Sequence, residues 1–167
     1  LELVRESCDS DDLDRVARAH GRMETLIEDL LALARERETA LEPEPISLAR
    51  FAERSWGNLD TSGARLDVEG DVTLRADETQ LGQLFENLFR NSVEHGSTSS
   101  RSDGQDADVT VTVGTLADGA GFYVEDDGPG IPPEDRDHIF DYGYSTSDGG
   151  TGFGLSIVKQ CAEAHGW

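Results

Sequence analysis

The hexapeptide DDGPGI, from Asp126 to Ile131, decides how this sequence is interpreted. It directly follows the run GFYVE (121–125), whose alternation of apolar and polar residues predicts a β-strand. Glycine and proline at the end of a strand are typical of a turn, but glycine also lets a ligand approach the backbone closely. A carboxylate and two glycines at this position therefore predict either a simple turn or a ligand site.

The charge of the chain is strongly negative. Its 167 residues include 14 basic and 35 acidic side chains, which gives a formal net charge of −21. Such a field repels DNA, RNA and anionic membranes, so we expect no nucleic-acid partner. The acidic residues are spread along the chain, and Lys159 is the only lysine. This composition resembles that of proteins from salt-accumulating haloarchaea, where molar salt shortens the Debye length to about 3 Å and screens the repulsion.

The cysteines and the hydropathy of the chain exclude further classes of protein. Cys8 and Cys161 lie far apart and outside any C-x-x-C motif, so neither a disulfide framework nor a zinc site is expected. No apolar run approaches the roughly 18 residues that a membrane span needs. We therefore expect a cytoplasmic chain without direct membrane contact, and membrane association of the full-length protein is left open.

The first 40 residues carry a helical pattern. A long helix is predicted from Asp12 to about Thr39, after a short helix at 1–6 and a polar turn at 7–12. Its apolar or borderline positions recur at alternating spacings of three and four residues: Leu13, Val16, His20, Met23, Ile27, Leu30 and Ala34. Because such a heptad seam needs partner helices, we expect a helical hairpin at 1–41 that forms a homodimeric four-helix bundle.

A second domain is predicted at 47–167, after a linker at 42–46. The run EPEP (42–45) marks the boundary because its two prolines cannot continue a helix. The periodicities that follow predict these elements in order: a helix at 47–56 capped by Ser47, strands at 64–68 and 72–75, a helix at 77–94 capped by Asp77, strands at 109–116 and 121–125, a short helix at 132–140 and a last helix at 154–164. Hairpin-linked strands with interposed helices predict an α+β fold, a two-layer α/β sandwich with a mostly antiparallel sheet.

Two asparagines stand out in the predicted helix at 77–94. Asn87, Asn91 and His95 lie four residues apart, on a different face from the apolar stripe. Asparagine is a mediocre helix former, so its repetition needs an explanation beyond helix propensity. Exposed polar residues on an amphipathic helix would explain the pattern, and so would carboxamide oxygens that bind Mg²⁺ together with phosphate oxygens and water.

A third motif, SDGGTGFGLSIVK (147–159), opens the last helix. Gly150, Gly152 and Gly154 alternate directly before the apolar residues of that helix. Several backbone N–H groups and a positive helix end then face one small volume, which is a phosphate-binding arrangement. Glycine-rich loops are common, so it is the order of the three motifs that favours a nucleotide site.

In this order the motifs resemble the asparagine box and two glycine boxes of the GHKL ATPase superfamily: NLFRN (87–91), DDGPGI (126–131) and GGTGFGLSIVK (149–159). HIFDYGYST (138–146) is similar to the lid of that superfamily, and METLIEDLLALAR (23–35) resembles the second helix of the dimerisation and phosphotransfer hairpin of sensor histidine kinases. The resemblance implies the Bergerat ATP-binding fold with ATP and Mg²⁺ as cofactors. It also implies transfer of the γ-phosphoryl group to a histidine of the dimerisation hairpin, and thence to an aspartate in the receiver domain of a response regulator.

The resemblance also implies roles for single residues. Asp126 would accept a hydrogen bond from the exocyclic amino group of adenine, which favours a ligand site over a simple turn. Asn91 would bind Mg²⁺, and Asn87 would support the phosphate side. His95 occupies the place of an aromatic residue near the nucleotide, whereas Glu94 replaces a cation that the family commonly has. The other contacts to the base and the triphosphate would come from Gly128, Gly130, Ile131, Gly150, Thr151, Gly152, Phe153, Gly154 and Leu155.

The resemblance implies that parts of a complete kinase lie outside this sequence. The phosphoacceptor histidine is expected upstream of Leu1, and His20, which lacks the acidic neighbour of such a histidine, is interpreted as a seam residue. EAHGW (163–167) resembles the start of a final glycine box, after which C-terminal strands would complete the sheet, so we expect this chain to be inactive alone. The alternatives are a GHKL serine kinase of the anti-sigma-factor type and a degenerate nucleotide-binding or dimerisation module.

Overall fold

The computed structural model describes residues 16, 19–21, 23, 27, 41–61, 63–96, 109–117, 119, 121–145 and 150–167. The described residues before residue 41 are all helical, and the rest of the predicted hairpin at 1–41 lies outside the described residues. The later elements are β1 (Glu44–Ser47), α1 (Leu48–Trp56), β2 (Ala64–Glu69), β3 (Thr73–Ala76), α2 (Glu78–Gly96), β4 (Val109–Thr115), β5 (Phe122–Asp126) and α3 (Gly154–His165). Among the residues that the structure describes, no helix combines the length and the apolar character that a membrane span requires.

The strands form two sheets. β1 and β3 make a two-stranded antiparallel sheet, whereas the second sheet has the order β2-β4-β5. In that sheet β2 runs parallel to β4 and β5 runs antiparallel to β4. A parallel pair needs a long crossover connection, and here the crossover contains β3 and α2. The predicted α+β fold with mostly antiparallel strands is confirmed: two of the three strand pairs are antiparallel, and β2 with β4 is the parallel pair.

The starts of α1 and α2 are set by their capping residues, as predicted. Ser47 Oγ accepts a hydrogen bond from the Arg50 amide at 3.4 Å. Asp77 Oδ1 accepts hydrogen bonds from the amides of the first turn of α2, at 3.0 and 3.1 Å. Asp71 also contacts the start of α1, because its carboxylate accepts hydrogen bonds from the Ala49 amide and from the hydroxyl of Ser47. The hydrogen bond from the Ala49 amide, followed by that from Ser47, lowers the pKa of Asp71.

The core lies between the helices and one face of the mixed sheet. Alternate residues of β4 point to this core: Val109, Val111 and Val113. They pack with buried side chains of α1 and α2, including Phe51, Phe85 and Phe89. A second cluster, formed by Leu84, Ile157 and Cys161, joins α2 to α3. Because burial of one such side chain contributes roughly 1.5–3 kcal/mol, these two clusters hold α2 rigidly between the sheet and α3.

Two local predictions are wrong. Residues 44–46, expected in the linker, belong to β1, and Pro45 is tolerated there because β1 pairs only with β3 and so forms a sheet edge. The short helix expected at 132–140 is a series of turns instead. Its hydrogen bonds mostly join a residue to the third residue before it, as from the His138 amide to Asp135 O at 2.9 Å, and this spacing is typical of turns.

Candidate functional site

Helix α2 presents its two asparagines to the beginning of α3. Asn87 is only 6% exposed, and its Nδ2 donates a hydrogen bond to Gln83 O at 2.9 Å. This bond fixes the orientation of the carboxamide and leaves Oδ1 facing Gly154. A Cβ atom at Gly154 would lie 3.0 Å from Asn87 Oδ1 and 3.7 Å from Asn91 Oδ1. Glycine at position 154 therefore allows both carboxamide oxygens to approach the glycine-rich loop.

Gly152 of the glycine-rich loop in turn contacts Gly143 of the lid segment. Gly152 has a φ of +73°, and a Cβ atom there would lie 2.4 Å from the carbonyl carbon of Gly143. The Gly143 amide donates a hydrogen bond to Gly152 O at 3.0 Å. Next to this contact, Tyr142 OH accepts a hydrogen bond from Gln160 Nε2 of α3. The sequence prediction included Gly152 but missed Gly143, whose own φ of +78° also requires glycine.

The first turn of α3 is arranged to receive an anion. Its N-cap residue, Phe153, makes no side-chain cap hydrogen bond, since phenylalanine has no acceptor. Ser156 Oγ donates a hydrogen bond to Phe153 O at 2.8 Å, which holds the turn in place. Phe153 also packs against the cluster between α2 and α3, and Thr151 and Leu155 are half-buried, whereas Gly150 is exposed. A helix start with amides that its N-cap side chain does not satisfy suits a phosphate group.

Asp126, the last residue of β5, lies beside the end of α2. Its Oδ1 accepts a hydrogen bond from the Gly128 amide at 3.0 Å, and its Oδ2 accepts one from Ser92 Oγ at 3.1 Å. A Cβ atom at Gly128 would lie 3.0 Å from the Cα of Gly96, the last residue of α2. The turn after β5 thus approaches α2 closely, and the absence of a side chain at Gly128 makes this approach possible.

Ser92 was missed by the sequence prediction. It lies seven residues after Phe85 and three after Phe89, so it belongs to the core-facing stripe of α2. It is only 7% exposed. A polar residue on an otherwise apolar stripe could have identified Ser92 from the sequence. A buried hydroxyl needs a hydrogen-bond partner, so its position on the stripe indicates a specific contact.

The two neighbouring aspartates of DDGPGI have different environments. Asp127 exchanges hydrogen bonds with β4: its Oδ1 accepts from the Thr110 amide at 2.8 Å, and its own amide donates to Thr110 O at 3.2 Å. The hydrogen bond from the Thr110 amide lowers the pKa of Asp127. Asp127 therefore extends the pairing of β4 and β5, whereas Asp126 faces α2 and the candidate site.

The remaining predicted residues lie at the surface. Gly130 has a φ of +72° with open space beside it, and Ile131 is 42% exposed. Ile131 O accepts a hydrogen bond from Arg136 Nε at 3.0 Å, which joins the turn after β5 to the turns at 132–140. Glu94 and His95 are exposed in the last turn of α2. Their parts in a nucleotide site stay predictions.

The donor set fits a magnesium ion that is bound mainly by phosphate and water. Among the described residues there is no group of three or more His, Cys, Asp or Glu side chains that could hold a metal. Mg²⁺ bound to a nucleotide keeps several waters and needs only one or two protein oxygens. Asn91 Oδ1, which approaches the glycine-rich loop near Gly154, is a suitable ligand of this kind.

The chain is similar to bacterial sensor kinases. Residues 76–167 match the family described as histidine kinase-, DNA gyrase B-, and HSP90-like ATPase. Sensor histidine kinase CpxA of Escherichia coli (strain K12) is 31% identical over 180 residues, covering 99% of this chain and 37% of CpxA. The chain thus spans little more than a third of that relative. Because these relatives are bacterial, they give no support to the haloarchaeal origin that the composition suggests.

Solved structures agree with this relationship. The mycobacterial sensor histidine kinase MprB has a TM-score of 0.61 at 25% identity, over 75% of this chain and 81% of that chain. Full-length ShkA in complex with AMPPNP has a TM-score of 0.66 at 25% identity, over 96% of this chain and 35% of that chain. The family match covers more than half of the residues and contains the asparagines of α2, Asp126 and the glycine-rich loop. This chain therefore belongs to the histidine kinase-, DNA gyrase B- and HSP90-like ATPase family.

Proposed function

We propose that residues 47–167 bind ATP with Mg²⁺ as the catalytic domain of a two-component sensor histidine kinase. The segment at 42–46, whose last three residues belong to β1, then connects this domain to a dimerisation and phosphotransfer hairpin at 1–41. The observation that carries the proposal is the approach of Asn87 and Asn91 to Gly154. It brings a candidate metal ligand next to a candidate phosphate-binding loop that lies more than 60 residues away in the sequence. The names of CpxA and MprB as sensor histidine kinases support it.

The base-binding part of the proposal rests on Asp126. An ionised carboxylate only accepts hydrogen bonds, so it matches the exocyclic amino group of adenine and disfavours guanine, which has a carbonyl oxygen at that position. The turn at Gly128, Gly130 and Ile131 would lie beside the base, and His95 would lie near the nucleotide. The complex of ShkA with AMPPNP, an adenine nucleotide, supports this choice of ligand.

The phosphate-binding part rests on the start of α3. Gly150, Thr151 and Gly152 would surround the triphosphate together with the first residues of α3: Phe153, Gly154 and Leu155. Asn91 would bind Mg²⁺, whose charge offsets that of the phosphates when it is bound, and Asn87 would support the same side. In phosphoryl transfer the protein contributes mainly positioning and electrostatic stabilisation, and the described residues are suited to both.

The phosphoryl group would pass to a histidine of the dimerisation hairpin and then to an aspartate of a response-regulator receiver domain. The homodimer would form through the heptad seam. Three described seam residues support this, because Val16, Met23 and Ile27 are helical and 65, 57 and 57% exposed in the single chain. Apolar side chains spaced along one helix face and left exposed are typical of an interface.

The acidic composition supports function in concentrated salt. With a net charge of −21, the chain repels itself in dilute buffer, whereas a Debye length of about 3 Å in molar salt removes most of this repulsion. We therefore propose a haloarchaeal protein that acts in the cytoplasm. Binding experiments on the chain are best done in molar KCl.

The metal assignment is tested by the Mg²⁺ dependence of ATP binding. ATP affinity is measured by calorimetry in molar KCl, with Mg²⁺ and with EDTA. We expect Mg²⁺ to strengthen binding to the wild type, and we expect most of this gain to disappear in Asn91→Ala. Asn58→Ala, which changes an exposed asparagine in the turn after α1, is the matched control and should keep the gain. An undiminished gain in Asn91→Ala would contradict the assignment.

Phosphotransfer is tested with ATP labelled in the γ-phosphoryl group. The chain is mixed with labelled ATP, Mg²⁺ and a dimerisation hairpin that carries an acceptor histidine followed by an acidic residue. Acid-labile label on that hairpin is the expected result, because phosphohistidine is acid-labile. Label on a serine that resists acid would favour the serine-kinase alternative instead.

A further inference from the structure

We infer that Ser92 is a positioning residue that orients Asp126 and thereby determines the preference for adenine. The inference rests on the proposed nucleotide function and goes beyond it, since it assigns a specificity role to a residue outside the predicted site. It starts from the hydrogen bond that Ser92 Oγ donates to Asp126 Oδ2 at 3.1 Å.

The direction of this hydrogen bond is unusual for a serine inside a helix. A serine within a helix often donates its hydroxyl to the carbonyl of the preceding turn. Ser156 of α3 does so, with Oγ 2.8 Å from Phe153 O. Ser92 instead reaches from α2 to the last residue of β5, 34 residues away in the sequence. Its hydroxyl is therefore committed to the carboxylate of Asp126.

Together with Gly128, Ser92 holds both oxygens of that carboxylate. The Gly128 amide donates to Oδ1 at 3.0 Å, while Ser92 donates to Oδ2. The terminal torsion of an aspartate has broad, shallow minima, so one donor alone leaves the plane of the carboxylate loosely defined. Two donors on two oxygens fix that plane. The remaining lone pairs then point in set directions, as recognition of an amino group requires.

The rigidity of α2 makes Ser92 suitable for this role. It is 7% exposed and follows Asn91 directly, so the same turn of α2 carries the proposed Mg²⁺ ligand and the support for the base-binding aspartate. Phe85 and Phe89, both fully buried, anchor this part of the helix in the core. The base and metal ends of the site are thus held by a single rigid element.

A purely structural role for Ser92 predicts a different outcome on mutation. Alanine is a better helix former than serine, and Asp126 is exposed, so water can replace the lost hydroxyl. Ser92→Ala should therefore leave the thermal midpoint close to that of the wild type. Its effect should appear only with ligands that have an amino group for Asp126 to bind.

The experiment compares ATP with purine riboside triphosphate, which lacks the exocyclic amino group. Affinities for the whole chain are measured in molar KCl with Mg²⁺, by competition with a fluorescent nucleotide. We expect the wild type to prefer ATP and Ser92→Ala to bind ATP about fivefold more weakly, with its affinity for purine riboside triphosphate unchanged. Ser156→Ala is the matched control: it removes another buried helix hydroxyl, near the phosphate loop, and should affect both nucleotides equally.

The outcomes separate this inference from the proposed function. If the wild type prefers ATP and Ser92→Ala keeps that preference in full, the positioning role is wrong and the adenine contact of Asp126 stands. An equal loss for both nucleotides in Ser92→Ala likewise overturns the positioning role. If the wild type does not distinguish the two nucleotides, the adenine contact of Asp126 fails, and the inference fails with it.

Discussion

Replacement of Asp126 by asparagine tests the centre of the proposed base site. The carboxylate accepts hydrogen bonds from the Gly128 amide on one oxygen and from Ser92 on the other. An asparagine has a single acceptor oxygen. The Gly128 amide can only donate, so the new oxygen must stay at the Oδ1 position. The new amino group then takes the Oδ2 position, where the Ser92 hydroxyl can turn and accept from it.

This forced orientation sets the magnitude of the effect. An amino group at the Oδ2 position cannot accept a hydrogen bond from adenine, as the carboxylate oxygen could. If adenine contacts this position, the amino group of the asparagine and that of the base are two donors facing each other. Asp126 is exposed in the free chain, and a bound base would cover it and exclude water. Polar groups that are buried in this way without a partner cost about 1–3 kcal/mol, which is roughly a tenfold to hundredfold loss of ATP affinity. The variant also removes one negative charge, which by itself would favour an anionic ligand. Molar salt suppresses this opposing effect because the Debye length is about 3 Å.

The assay is calorimetric titration of ATP and Mg²⁺ into the chain in molar KCl. Asp127→Asn is the matched control, because it removes the same charge from the adjacent residue, whose carboxylate is bound to the Thr110 amide of β4. We expect Asp127→Asn to lower the thermal midpoint and to leave ATP affinity nearly unchanged. We expect Asp126→Asn to lower ATP affinity and to leave the thermal midpoint nearly unchanged. Equal ATP affinity in Asp126→Asn and the wild type would refute the assignment of Asp126 to the base.

Three further predictions concern the loop, the acid stability and the seam. Gly152→Ala should lower the thermal midpoint more than Gly119→Ala and should weaken nucleotide binding. Both glycines have positive φ, which costs roughly 1–2 kcal/mol for alanine, but only at Gly152 would the new Cβ also collide with Gly143. Equal thermal midpoints for the two variants would contradict this. Hydrogen-bond donors at the start of α1 lower the pKa of Asp71 in the folded chain. The contribution of Asp71 to folding stability is therefore present above the unfolded pKa of 3.8 and is lost as pH falls through the folded pKa. In Asp71→Asn the thermal midpoint should consequently depend less on acid pH than in the wild type. Ile27→Glu should separate the dimer in high salt, and a variant that still elutes as a dimer would refute the seam.

Most of the fold could be predicted because its signals are local. The caps Ser47 and Asp77 determine where α1 and α2 begin, and each cap acts within one turn of its helix. The alternation of valines in VTVTV (109–113) predicts both a strand and the face that is buried, since successive side chains point to opposite sides. These patterns depend on neighbours within four residues, so the sequence displays them directly.

The predictions failed where long-range contacts override local preference. Pro45 signals a break, yet residues 44–47 form a strand because β3 provides a partner and Pro45 lies at the sheet edge. The parallel pairing of β2 with β4 was not predicted, because the register of strands joined by a long crossover depends on packing against the helices. Residues 132–140 form turns, although the acidic sequence of this segment fits a helix equally well.

For the candidate site, the sequence by itself determined the types of chemical group and their order: carboxamides on a helix, a carboxylate at a strand end, and glycines before a helix. Only the tertiary structure decided which groups meet. It turns Asp126 toward Ser92 while its neighbour Asp127 is bound to β4, and it brings Gly143 onto Gly152. The physical reason is that contacts such as these join segments distant in sequence, and only the burial of the core between α2, α3 and the sheet fixes their distances.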